Sequence, residues 1–288
     1  MRRSPPTRVW HAPRPRRAGF TLIELLLVIA IIALLVTLSM RGLAGARNNA
    51  RTAVCLSNQR QIAVGYAAYA MDFRGRIWPA NQWARLPDNT GPNPGLLYRY
   101  VSNVDRIGEC PSNQRRGSRS QSGNNMFGTG TFLDFDYTMV YAASGARIDS
   151  ATRVAFLSNP ATGGSPGSLP PGMILPASMT ALTPMRGLPV FVEESTFWFN
   201  DQYTDGLWSN MDQISERHAG KGSVVYLAGD AELLDFPHGP RPDLQENEDL
   251  DANDLYALRG NAGQWIRLQP DAGNWTRRPF GWIENPRP

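Results

Sequence analysis

Cysteine, histidine and lysine are scarce in this chain. Its 288 residues include two cysteines, three histidines and a single lysine, Lys221, and one of the histidines, His11, lies in an arginine-rich N-terminal stretch. Chemistry built on metal ligands or activated nucleophiles therefore has few side chains to draw on. No H-E-x-x-H, paired C-x-x-C or P-loop pattern is present. Gly163 to Gly167 formally match G-x-S-x-G, but a nucleophile elbow needs a strand before the serine and a helix after it. The surrounding "NPATGGSPGSLPPG" reads instead as a Pro/Gly/Ser loop. An enzyme is not expected, and neither a cofactor nor a metal is assigned.

Positive charge is unevenly placed. Arg2, Arg3, Arg8, Arg14, Arg16 and Arg17 precede residue 19, so against a formal net charge of +4 the rest of the chain is net negative. The basic balance belongs to the N-terminal segment and is not a nucleic-acid footprint. From Phe20 to Met40 the sequence is apolar apart from Glu24 and a few hydroxyl side chains. As a helix this run rises roughly 31 Å at ~1.5 Å per residue, about the thickness of a bilayer core. The arginines before it place the N-terminus in the cytoplasm and the residues beyond about 41 on the far side.

Three readings compete for this segment. A secretory signal has a shorter apolar region of about 7–15 residues before its cleavage site, although Ala44-Gly45-Ala46 offers an A-x-A. A plain signal anchor fits the length but gives no reason for Glu24, whose burial costs on the order of 2.5–3.5 kcal/mol at a helix centre and less near an end. The third reading accounts for the acid: "AGFTLIEL" resembles the processing site of type IV prepilins and type II secretion pseudopilins. That resemblance implies a prepilin peptidase that cuts after Gly19 and methylates the new N-terminus at Phe20. It also implies an assembly role for Glu24, which would meet the amine of a neighbouring subunit. Arg41 stands where many relatives have proline, so the usual kink is either absent or shifted to Gly42 and Gly45.

Beyond the span, residues 41 to 74 contain no proline and are rich in helix formers. Cys55, Ile62, Tyr66, Tyr69 and Phe73 fall within about 60° of one another on a helical wheel, and Gly75 and Pro79 supply stop signals. "CLSNQRQIAVGYAAYAMDFRGRIWP" resembles the C-x-x-N-x-R-Q-I segment of a prepilin-like family abundant in planctomycetes. "CPS" at Cys110 resembles that family's second cysteine. Near the C-terminus the family has a histidine, nine residues and Asp-Gly; here His218 leads to Ala228-Gly229, with Asp230 one place beyond. Residues 223–227 and 231–236 read as a hairpin around Gly229-Asp230, and His218 as a loop brace. Cys55 and Cys110 would lie outside the inner membrane, where disulfides persist. A bridge between them would stabilise by roughly 4 kcal/mol on the chain-entropy account, and two buried free thiols remain the alternative.

Asp249, Asp251, Asn253 and Asp254 resemble the start of a calcium loop, but the sixth position is Asp254 rather than glycine and the twelfth is Gly260 rather than glutamate. A solvated acidic connector is the expectation. "NAGQWIR" and "DAGNWTR" repeat A-G-x-W-x-R at an offset of ten, placing Trp265 and Trp275 on two short strands that either cover a sheet or present tryptophan to a partner.

The expected fold class is α+β and pilin-like: a long N-terminal hydrophobic helix packed on an antiparallel β-sheet head with long loops. The expected divisions are a leader at 1–19, a helix over 20–74 with 20–40 transmembrane, and an extracytoplasmic head over 75–288. The head's last part, 237–288, holds the acidic connector and the tryptophan-bearing tail. The resemblance implies a filament subunit of a type II secretion pseudopilus or type IV pilus. Its partners would be prepilin peptidase, other pilin subunits, and an inner-membrane platform with its ATPase. The alternative is a membrane-tethered binding module, for instance for carbohydrate, that uses the same export signal.

Overall fold

The computed structural model describes residues 19–86, 93–113, 135–160, 174–176, 182–195, 206–209, 212–241, 246, 248–260, 263–268 and 280–284. The chain divides into two units, residues 1–47 and 48–288. Helix α1 runs Leu22–Asp72 and passes without interruption through Gly42 and Gly45. In the first unit its side chains are exposed along the described length, and the apolar run is long and apolar enough to cross a membrane.

In the second unit the remainder of α1 buries Cys55, Ile62, Ala63, Tyr66, Tyr69 and Ala70, which is the face expected from the spacing. Phe73 departs from it: the residue is half-exposed and stacks on Tyr69 with ring centroids 4.0 Å apart. The helix ends at Asp72 because Arg74 and Gly75 both take left-handed backbone angles, φ 56° and 76°. The Gly75 N–H then donates to Ala70 O at 2.8 Å, closing the helix in a Schellman-type turn.

Among its described residues the second unit also holds twelve short strands. In chain order these are β1 (Arg85–Leu86), β2 (Asn93–Pro94), β3 (Tyr137–Val140), β4 (Val154–Leu157), β5 (Ile174–Pro176), β6 (Leu182–Pro184), β7 (Pro189–Glu193), β8 (Leu207–Trp208), β9 (Gly222–Tyr226), β10 (Ala231–Leu234), β11 (Leu255–Arg259) and β12 (Gln264–Arg267). A short helix, α2 (Val104–Ile107), lies between β2 and β3. The strands form a small β1-β2 pair and two five-stranded sheets, ordered β10-β9-β7-β3-β8 and β5-β12-β11-β4-β6. Every pairing is antiparallel except β3 with β8. The expected hairpin is present as β9 and β10, paired Val225 to Ala231, with Gly229 at φ 92° in the turn.

The first of these sheets carries α1. Tyr66 donates its hydroxyl to Tyr226 O on β9 at 2.6 Å and lies parallel to the Phe191 ring on β7. Gln59 reaches Ser223 on β9. The result is the α+β, helix-on-antiparallel-sheet arrangement expected of a pilin-like fold.

One expectation for the C-terminal part needs correction. Asp249, Asp251 and Asp254 are buried, not solvated. Their carboxylates accept backbone N–H groups: Asp249 from Gly239 and Glu246, Asp251 from Asn253, and Asp254 from Asp251. Short acidic side chains cap turns by accepting backbone N–H groups in this way. The first copy of the tryptophan repeat lies on β12, which pairs with β11 and β5 inside the second sheet. There Trp265 is half-buried and packs with Leu157, Leu182 and Tyr256. Trp275, the leader before Gly19 and the Gly163–Gly167 loop lie outside the described residues.

Candidate functional site

At the start of α1 the backbone of Gly19, Phe20 and Thr21 is non-helical and all three residues are exposed. Thr21 caps the helix. Its carbonyl accepts the first helical N–H, from Leu25, at 3.2 Å, and its Oγ1 accepts from Glu24 N at 3.3 Å. In return the Glu24 carboxylate accepts from Thr21 N at 2.8 Å and from Thr21 Oγ1 at 2.7 Å. This is a capping box of the form T-x-x-E. Glu24 therefore has a local partner in the single chain, a role the sequence pattern contains but the spacing from Gly19 does not call for.

A second constellation lies inside the other unit, where four elements converge. The Cys55 side chain comes from α1, Cys110 follows α2, Glu193 ends β7, and Arg217 and His218 occupy the turn before β9. The thiols of Cys55 and Cys110 are free and buried. One ligand atom from each of Cys55, Cys110 and His218 lies within 4.8 Å of the others, and all three residues are buried. His218 Nε2 is 3.8 Å from Cys110 Sγ and 2.7 Å from Glu193 Oε2, while its Nδ1 is 3.0 Å from Thr52 Oγ1 on α1. Composition argued against metal-type chemistry, yet the fold gathers both cysteines and one histidine at a single point.

The surrounding contacts hold this point in place. Asn58, one turn beyond Cys55, donates to Glu109 O at 3.0 Å and so ties α1 to the residue before Cys110. The Cys110 N–H donates to Asp136 at 2.6 Å, and the Ser112 N–H donates to Cys110 Sγ at 3.4 Å. Arg217 Nη1 bridges Asp136 at 3.2 Å and Glu193 at 3.1 Å, and Nη2 donates to Glu194 O. Ser223 Oγ donates to Glu193 Oε2 at 2.8 Å.

These contacts set the charges. Burial alone would raise Glu193, but the His218 hydrogen bond and the Arg217 guanidinium outweigh it and bring the carboxyl down to about 2. Burial opposes the charged form of His218, yet its contacts with Cys110 and Glu193 raise it to about 9. Asp136 is raised by burial, which Arg217 and the Cys110 N–H only partly offset. Cys110 is raised by its hydrogen bond with Cys55 and by burial, whereas Cys55, on the other side of that bond, is lowered. His218 braces its loop, as expected, and does so as part of a charged network. The sequence reading did not single out Asp136, Glu193 or Arg217. The available signal was a pair of acids closing the apolar run "LPVFVEE" and a basic-aromatic pair in "ERH".

Residues 14–40 match the family described as prokaryotic N-terminal methylation motif. The N-terminal segment thus carries a prepilin-like signal, which implies processing by prepilin peptidase and assembly with other pilin subunits. No curated protein and no solved structure matches the chain.

Proposed function

We propose that the chain is a structural subunit of a type II secretion pseudopilus or type IV pilus-like filament and not an enzyme. The match of residues 14–40 to the methylation motif carries this reading. Prepilin peptidase cuts after Gly19 and methylates Phe20, and the apolar part of α1 holds the subunit in the inner membrane with its N-terminus cytoplasmic and the head periplasmic or extracellular. An assembly platform and ATPase draw it into a filament through packing of the exposed apolar helices. Glu24 sets the register by meeting the amine of a neighbouring Phe20, since a carboxylate in a low-dielectric setting gains most when an opposite charge reaches it.

The head's fold supports the same reading, because its sheet is built around the second half of α1. The tethered-binder alternative draws no support from Trp265, which is engaged in packing. Mass spectrometry of the mature N-terminus tests the proposal. Methylated Phe20 is the expected result, and a mature chain beginning at Arg47, after the A-x-A, would overturn it.

A further inference from the structure

We infer that Cys55, Cys110, His218 and Glu193 form a buried structural site for a zinc-class divalent cation. Thiolate and imidazole donors select borderline-to-soft transition metals over calcium or magnesium, and structural sites of this class are closed and four-coordinate. A tetrahedral zinc with bonds of ≈ 2.3 Å to sulfur and ≈ 2.0–2.1 Å to nitrogen holds its ligand atoms about 3.5–3.8 Å apart. Cys110 Sγ and His218 Nε2 are already 3.8 Å apart, and the three Cys and His donors lie within 4.8 Å of one another. Closing on a cation thus takes rotamer-scale movement. Glu193 Oε2, 2.7 Å from His218 Nε2, supplies the fourth ligand once the cation takes the place of the Nε2 proton, which leaves to solvent.

Two contacts orient the donors as outer partners of metal ligands do. Thr52 Oγ1 meets His218 Nδ1 and orients the ring, and the Ser112 N–H points at the Cys110 sulfur. Arg217 places a positive charge against Glu193. Within the same network Gln59 has its Oε1 buried without a hydrogen-bond partner. Binding releases the two thiol protons and the imidazolium proton, leaving two thiolates, a neutral imidazole and a carboxylate around the cation. A bound cation would join α1, the segment after α2, the end of β7 and the turn before β9, fixing the distal half of α1 to its sheet.

The test uses the full chain in detergent, reduced with a phosphine, stripped with chelator and titrated with zinc or cobalt(II). One equivalent is expected to bind. Cobalt should show thiolate-to-metal charge-transfer absorption and intense tetrahedral visible bands, and zinc should raise the thermal midpoint. Cys110→Ser and His218→Ala should each lower affinity by on the order of 100-fold or more, and Thr52→Ala by ~10-fold, within the range for outer partners. If a ligand variant does not fold, the cobalt spectrum of the unaltered chain still decides. Absence of the thiolate band overturns the inference. So does metal binding that is unchanged in folded cysteine variants, or isolation of the native protein with Cys55 and Cys110 bonded and no zinc-binding capacity after reduction.

Discussion

Arg217 stands between two buried carboxylates, Asp136 and Glu193, at 3.2 and 3.1 Å. Attraction within such a group need not exceed what removing three charges from water costs, but taking away one partner leaves the others uncompensated. Arg217→Met should therefore destabilise the folded chain by about 3–5 kcal/mol, read as a lower denaturation midpoint. Asp254 makes a different demand. Burial raises its carboxyl from the ordinary 3.8 to about 6, against the opposing Asp251 N–H bond and the Arg267 charge. Below about pH 3.8 the folded and unfolded chains both hold the proton, so nothing is gained or lost. Between there and about pH 6 only the unfolded chain ionises, so stability falls as pH rises and then levels off. Asp254→Asn keeps an oxygen for the cap and removes this penalty. The difference in thermal midpoint between variant and parent should be small near pH 3.5 and grow to a plateau above pH 6, where the variant should be more stable by on the order of 1–3 kcal/mol.

At the scale of elements, close approach decides where α1 meets the rest of its unit. A β-carbon on Gly65 would lie 2.7 Å from Leu97 and 2.8 Å from Val101, with Trp78 at 3.3 Å, and Leu97 and Trp78 are fully buried. Gly65→Val places a branched side chain where there is no room, so it should cost about 1–3 kcal/mol through overpacking. A reduced urea midpoint with weakened near-ultraviolet aromatic dichroism is the expected readout. The helix itself was legible because apolar spacing and stop residues act locally: the buried face through Tyr69 and the halt before Gly75 follow from the residues alone. The β9–β10 hairpin was legible for the same reason. Glu193 was not, because two acids closing a strand read as its solvated end. β7 lies between β9 and β3 and all five of its residues are buried, so the acid is drawn inward by Arg217 and His218, which are distant in sequence. The buried aspartates at 249–254 were misread on the same grounds, since their partners are backbone N–H groups that composition does not reveal.

At the scale of the whole molecule, the processing signal and the buried cluster fall in different units, residues 1–47 and 48–288, so export and folding of the head can be perturbed separately. Glu24 is where the two explanations of the N-terminal acid meet. In the single chain it completes a capping box with Thr21; in a filament it would answer the charge of a neighbouring Phe20 amine. Glutamine at the third helical position closes a capping box as glutamate does but carries no charge. Glu24→Gln and Thr21→Ala therefore divide the roles, the first keeping the cap and losing the charge, the second losing the cap and keeping the charge. If Glu24 acts by docking, Glu24→Gln should be cleaved and methylated normally yet fail to appear in sheared filament fractions, as Glu24→Ala should, while Thr21→Ala assembles. Assembly of Glu24→Gln at the parent level, with loss in Thr21→Ala, would assign the acid to helix initiation and leave register to apolar packing alone.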